Sequence, residues 1–199
     1  MFPAALMLAS VVAFVPQSTD VQHVDASTPR DVQIQLARQA APPEVGREAT
    51  IYVLGPKGYE KAVEGKNGFS CIIDREFPDT MEPECLDAEG SRTTLQTRLF
   101  TEQARAQGKT QQQIGAEVES GYKSGRFRAP QKPGIVYMLS PHNHVFDPDS
   151  KKIIHFPGHL MFYAPYATEK EVGSGPGAPY LDHPGKPDAL MIVVPASNH

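Results

Sequence analysis

Four of the chain's seven histidines lie close together, at His142, His144, His155 and His159. Neutral imidazole binds Zn, Cu, Fe or Ni through a ring nitrogen, so a run of this kind is first of all a candidate metal centre. On a strand, positions two apart share a face, which points His142 and His144 the same way. His155 and His159 have the four-residue spacing of helical ligands, but Pro157-Gly158 between them breaks a helix and leaves them flanking a bend. Asp147-Pro148-Asp149-Ser150 is a strong turn signal and predicts a hairpin that brings His144 and His155 to similar heights on neighbouring strands. One expectation is therefore a transition metal such as Zn or Fe held by His142, His144, His155 and His159. A second is a pocket for a small molecule or a protein partner, lined by Tyr137, His142, His144, His155, His159 and Tyr163. A third is a structural envelope protein whose imidazoles bond backbone carbonyls and brace loops.

Motif spacing narrows the enzymatic reading. H-E-x-x-H is missing, as is the H-x-H-x-D-H run of metallo-β-lactamase-like hydrolases. His142-x-His144, an acidic residue at Asp149, and His159 behind a Pro157-Gly158 turn together resemble the paired motifs of the cupins. That resemblance covers fewer than about 20 residues, and it implies a metal-dependent barrel enzyme using these side chains. Three features depart from the cupin pattern: aspartate stands where glutamate is usual, the second motif is one residue tighter, and two helices precede it. A metal-dependent hydrolase using the same histidines is the parallel expectation.

Other chemistry is thinner. The acidic stretch 74–89 lacks the D-x-D-x-D-G spacing of an EF-hand loop and reads as a solvated loop facing basic helices. Arg126 and Arg128 can clamp a carboxylate or phosphate, or pair with that acidic stretch. Ser140 stands near His142 without a G-x-S-x-G elbow. The glycines at 173–177 match neither G-x-G-x-x-G nor a P-loop, so they do not suggest a nucleotide.

These residues need elements to position them. Thr28-Pro29 reads as an N-cap and N1 pair opening a helix over 31–41, stopped by Pro42-Pro43. Residues 49–54 and 69–75 are dense in β-branched and aromatic side chains and predict strands. In the second, Cys71 and Ile73 share one face and Ile72 takes the other, so both faces are covered. Residues 58–64 read as one or two helical turns, and 76–90 as loop. Helical spacing of Leu95 and Leu99 predicts a helix over 91–107. Thr110 with Gln113 is a capping-box pattern opening a second helix, and the short link between them predicts an αα-hairpin. Strands follow at 134–140, 144–146, 152–156, 159–164 and 189–194, with a long ordered loop over 168–188. The predicted fold is α+β, an antiparallel or mixed sheet with the helical hairpin packed on one face.

Composition sets the setting. With 40% hydrophobic and 21% charged residues, the 199-residue chain is of ordinary globular make-up, though its 19 prolines are about twice the usual share. The apolar run 2–15 is too short to span a bilayer and fits a signal-peptide core, although no Lys or Arg follows Met1; a buried strand or helix is the alternative. The expected division is a signal peptide at 1–18, a polar linker at 19–29 and an α+β domain at 30–199, periplasmic or secreted, with no transmembrane helix in the mature chain. Cys71 and Cys85 then form a disulfide closing a loop of about 15 residues. The net charge of −4 divides unevenly: residues 1–91 carry seven basic and fourteen acidic side chains, while 92–132 carry eight and three. The basic segment has no interleaved aromatics, and the expectation is no nucleic-acid partner.

Overall fold

The computed structural model describes residues 23–75, 77, 79–173, 175 and 177–194. The expected signal peptide at 1–18 lies outside them. The fold is α+β. An open eight-stranded sheet runs in the order β2 (Gly58–Val63), β1 (Thr50–Gly55), β3 (Ser70–Asp74), β4 (Glu82–Leu86), β5 (Ile135–Met138), β8 (His159–Tyr163), β10 (Leu190–Val193), β9 (Tyr180–Asp182). Neighbours are antiparallel except β1 and β3, which pair in parallel through Thr50–Ser70 and Ile51–Cys71. A separate hairpin joins β6 (His144–Asp147) to β7 (Lys152–His155). The sheet is not closed, so the barrel implied by the cupin resemblance does not form.

Two stretches differ from expectation for the same reason. Residues 58–64 form β2 rather than helical turns, because Gly58 reverses the chain at φ 106° and returns it along β1. A side chain at Gly58 would strike the backbone of Gln103 2.9 Å away, so the turn is pressed against a helix. The expected loop at 76–90 contains β4, an interior strand. Its carboxylates disguise it: Glu84 is buried beside an arginine, not solvated. Pro83 falls between β4's pairing with β5 and the Met81–His144 bridge, so its missing N–H breaks no ladder bond. Cys71 and Cys85 are direct cross-strand partners of β3 and β4 and are joined by a disulfide.

Strand alternation divides the core between two faces. On one face α1 (Arg30–Arg38) lays Leu36 and Ala37 against Ile51, Val53, Cys71, Ile73, Met81 and Cys85. Parallel pairing of β1 with β3 ends at Ile51, which would leave Leu54 short of partners. Gln33 supplies both: its Oε1 accepts from Leu54 N at 2.7 Å and its Nε2 donates to Leu54 O at 3.2 Å. Pro29, not Thr28, is the N-cap; the Thr28 hydroxyl instead accepts from Asp25 N. Val24 is buried in this face, so the stretch expected as linker is seated on the domain there. A short α2 (Pro43–Glu48) follows Pro42.

The other face is covered by α4 (Thr94–Ala106), with Leu95 and Leu99 over Ile72, Leu86, Val136, Met138, Met161, Tyr163, Leu190 and Ile192. The single helix expected over 91–107 is divided at Thr93 from a short α3 (Ala88–Arg92). Asp87 fixes that junction. Its carboxylate accepts from Glu89 N and Gly90 N at the helix start, from Ile135 N of β5, and from Tyr163 Oη of β8. Helix α5 (Gln111–Ser124) carries the expected capping box and packs on α4 rather than on the sheet, through Phe100, Ala104, Ile114 and Phe127. Arg126 lies over the Phe100 and Phe127 rings, at 4.5 and 5.0 Å from their centres. The expected loop at 168–188 holds a four-residue α6 (Glu169–Val172) and the edge strand β9. Among the described residues no helix is long and apolar enough to cross a membrane.

Candidate functional site

The α4 face does not close completely. Beyond Leu86 the strands turn charged: Asp74 on β3, Glu82 and Glu84 on β4, His159 on β8, Tyr180 and Asp182 on β9 all stand on the face that α4 covers. These side chains hold the helices off the sheet and leave a cleft of about 580 Å³. Its apolar floor is Met138, Met161 and Ile192, with Phe156 and the hairpin residues Val145 and Ile154 at one end. Thr97, Arg98, Thr101 and Arg105 of α4 and Ile114, Gly115 and Val118 of α5 form the opposite wall. A volume of this size suits a small organic ligand.

Arg98 stands at the polar centre. Its Nε lies 2.9 Å from Asp74 Oδ2 and 3.3 Å from Glu84 Oε1. Glu84 is 2% exposed, and burial pushes its carboxyl up to about 7 against the pull of Arg98, with the Asp74 charge adding to the rise. A second buried carboxylate, Glu102, takes Arg75 at 2.9 Å and also Arg105. The expected pairing of the acidic stretch with the basic helices is met here by Arg98, whereas Arg126 turns to aromatic rings.

At the far end, His183 Nδ1 is 3.3 Å from Asp188 Oδ2, and that hydrogen bond raises the imidazole above its ordinary value. His183 sits at φ 52°, in the left-handed region that non-glycine residues seldom occupy. His159 lies nearer the hairpin, stacked on Phe156 with ring centres 5.5 Å apart, and its Nδ1 donates to Pro157 O at 3.1 Å. Carbonyls only accept, so neutral His159 keeps its Nε2 as an acceptor. Burial lowers its pKa, which favours that neutral form.

Of the side chains singled out in the sequence, only His159 lines this cleft. Tyr163 is packed beneath α3, its hydroxyl donating to Asp87, and a Cβ at Gly90 would fall 1.9 Å from that oxygen. Tyr137 faces the α1 side against Phe69. His142 opens onto a different cavity beside Arg38 and Arg47. His144 and His155 are register partners, as the turn predicted, with ring centres 5.1 Å apart on the α1 side of their hairpin. The four imidazoles are thus divided among three places. Among the described residues no group of three or more His, Cys, Asp or Glu side chains is arranged to hold a metal ion. Asp74, Glu84, Arg98, Asp182, His183 and Asp188 were missed, since they come from four separate segments; His183 followed by Asp188 was the one local signal. Comparison of the chain with protein-family models, with curated proteins and with solved structures finds no match.

Proposed function

We propose that the protein binds a small amphipathic cation, an amine on an apolar chain, in the cleft between the sheet and α4–α5. The carrying observation is the charge balance around Arg98: one guanidinium faces Asp74, Glu84, Asp182 and Asp188, over a floor of methionine and isoleucine side chains. Arg75 and Arg105 are already engaged by Glu102. An ammonium group entering the carboxylate cluster gains charge-assisted hydrogen bonds, while its chain covers Met138, Met161 and Ile192. A carboxylic acid of the same length meets repulsion there. The Cys71–Cys85 disulfide supports placing this binding in an oxidising compartment outside the cytosol.

Calorimetric titration with n-hexylamine, n-hexanoic acid and n-hexanol tests the reading. The amine is expected to bind in preference to both others. Gly115→Trp is the matched control: Gly115 lines the cleft, and a Cβ there meets nothing within 4 Å. That variant should fold as well as the parent and lose the amine. Equal binding of acid and amine, or undiminished binding by Gly115→Trp, overturns the proposal.

A further inference from the structure

We propose that His144, His155 and Met81 form a site for one soft metal ion, monovalent copper, on the α1 side of the β6–β7 hairpin. The site is independent of the cleft, which the hairpin meets with its opposite side through Val145 and Ile154. His144 is 2% exposed, and its Nδ1 lies 2.9 Å from His142 O. That carbonyl fixes the proton on Nδ1 and leaves the Nε2 lone pair unprotonated. Nε2 is buried and has no hydrogen-bond partner. A buried acceptor left unpaired demands an explanation, and a metal ion supplies one. Metal-bound histidines characteristically donate their other ring N–H to a backbone carbonyl, the arrangement seen here.

Two further ligands are set by register. His155 is the direct cross-strand partner of His144, exposed, with ring centres 5.1 Å apart. An ion about 2.0 Å from each ring nitrogen sits about 3.2 Å from each ring centre, so this separation corresponds to a nitrogen–metal–nitrogen angle of about 110°. On the opposite edge of β6, Met81 forms an antiparallel bridge with His144, donating from N to His144 O and accepting from His144 N, both at 3.0 Å. Bridge partners share a face, which puts the Met81 side chain beside the His144 ring. Two imidazoles and a thioether make a low-coordinate, soft ligand set, which selects Cu(I) over Zn with its demand for four harder ligands. His155, at the surface, gives the ion a way in.

The test is anaerobic titration of the tag-free chain with Cu(I) presented as its bicinchoninate complex, whose colour fades as the protein withdraws the ion. One Cu(I) per chain is expected, with nitrogen and sulfur neighbours in its X-ray absorption spectrum. His155→Ala, at an exposed position, should leave apo-protein Tm unchanged and weaken binding at least about tenfold. Met81→Leu keeps the volume of the core and should remove the sulfur neighbour. Failure to withdraw copper, or a His155→Ala protein that binds as tightly as the parent, overturns the site. A wild-type spectrum without sulfur, or displacement of Cu(I) by equimolar Zn(II), overturns its assignment to a soft ion.

Discussion

A carboxyl group that is almost fully buried yet faces an arginine reports which force dominates at its position. For Glu84 burial outweighs Arg98, and the group titrates at about 7 instead of 4.5. The folded protein therefore holds a proton that the unfolded chain has already released, so this side chain makes stability fall as pH rises from about 4.5 to about 7. Glu84→Gln keeps the shape and an acceptor for Arg98 and cannot ionise. Denaturant unfolding of both proteins should show the Gln variant gaining on the parent across that window, by up to the order of 3 kcal/mol, and running parallel outside it. A constant difference from pH 4.5 to 7 would show that Glu84 is ionised throughout. Tyr163 separates packing from binding at the same scale. Tyr163→Phe removes the hydrogen bond to Asp87 and should cost about 1 kcal/mol, with hexylamine affinity unchanged. Weakened amine binding at full stability would return Tyr163 to the site.

Elements whose signal is carried by their own periodicity were legible in the sequence: both long helices with the Thr110–Gln113 box, the hairpin about Asp147, and the strands of the final third. β4 and β9 were not, because local composition opposes their state. Glu82, Pro83 and Glu84 read as exposed loop until Arg98, fourteen residues on from Glu84, makes burial of the carboxylate tolerable. β9 is three residues long among glycines and prolines and exists only as the partner of β10. The candidate site was mostly illegible for a related reason: its charged groups sit on β3, β4, α4 and the β9–β10 connection, and only the sheet order brings them together. The histidine run drew attention by proximity in sequence, yet strand alternation sends its members to opposite faces. The disulfide makes the β3–β4 pairing testable as an element. Replacing Cys71 and Cys85 together by Ala reopens a loop of about 15 residues in the unfolded chain, an expected loss of about 3 kcal/mol in urea unfolding. An unchanged midpoint would mean that β-pairing alone fixes the two strands.

Across the whole molecule the uneven charge of the chain is resolved by topology. The acid-rich first half contributes Asp74 and Glu84 from the sheet, and the basic middle segment contributes Arg98 from the helix laid over them. Asp182 and Asp188 then arrive from the last strands, and no described cation in the cleft offsets them except His183 when protonated. The cleft therefore becomes more negative as pH rises, through two groups acting in the same direction. Glu84 gains its charge near 7, and His183, held up by Asp188, loses its proton above its ordinary range. A protonated alkylamine keeps its own charge over this interval. Hexylamine affinity should accordingly rise between about pH 6 and about pH 8, and it should fall with added salt as the open cleft is screened. Hexanol, with the same chain and no charge, should show neither trend. Glu84→Gln and His183→Asn should each remove part of the pH dependence, leaving the salt dependence that Asp74, Asp182 and Asp188 still impose. An amine affinity that is flat in pH and salt, parallel to that of hexanol, would assign whatever binding occurs to the apolar floor alone and strip the carboxylates of their proposed role.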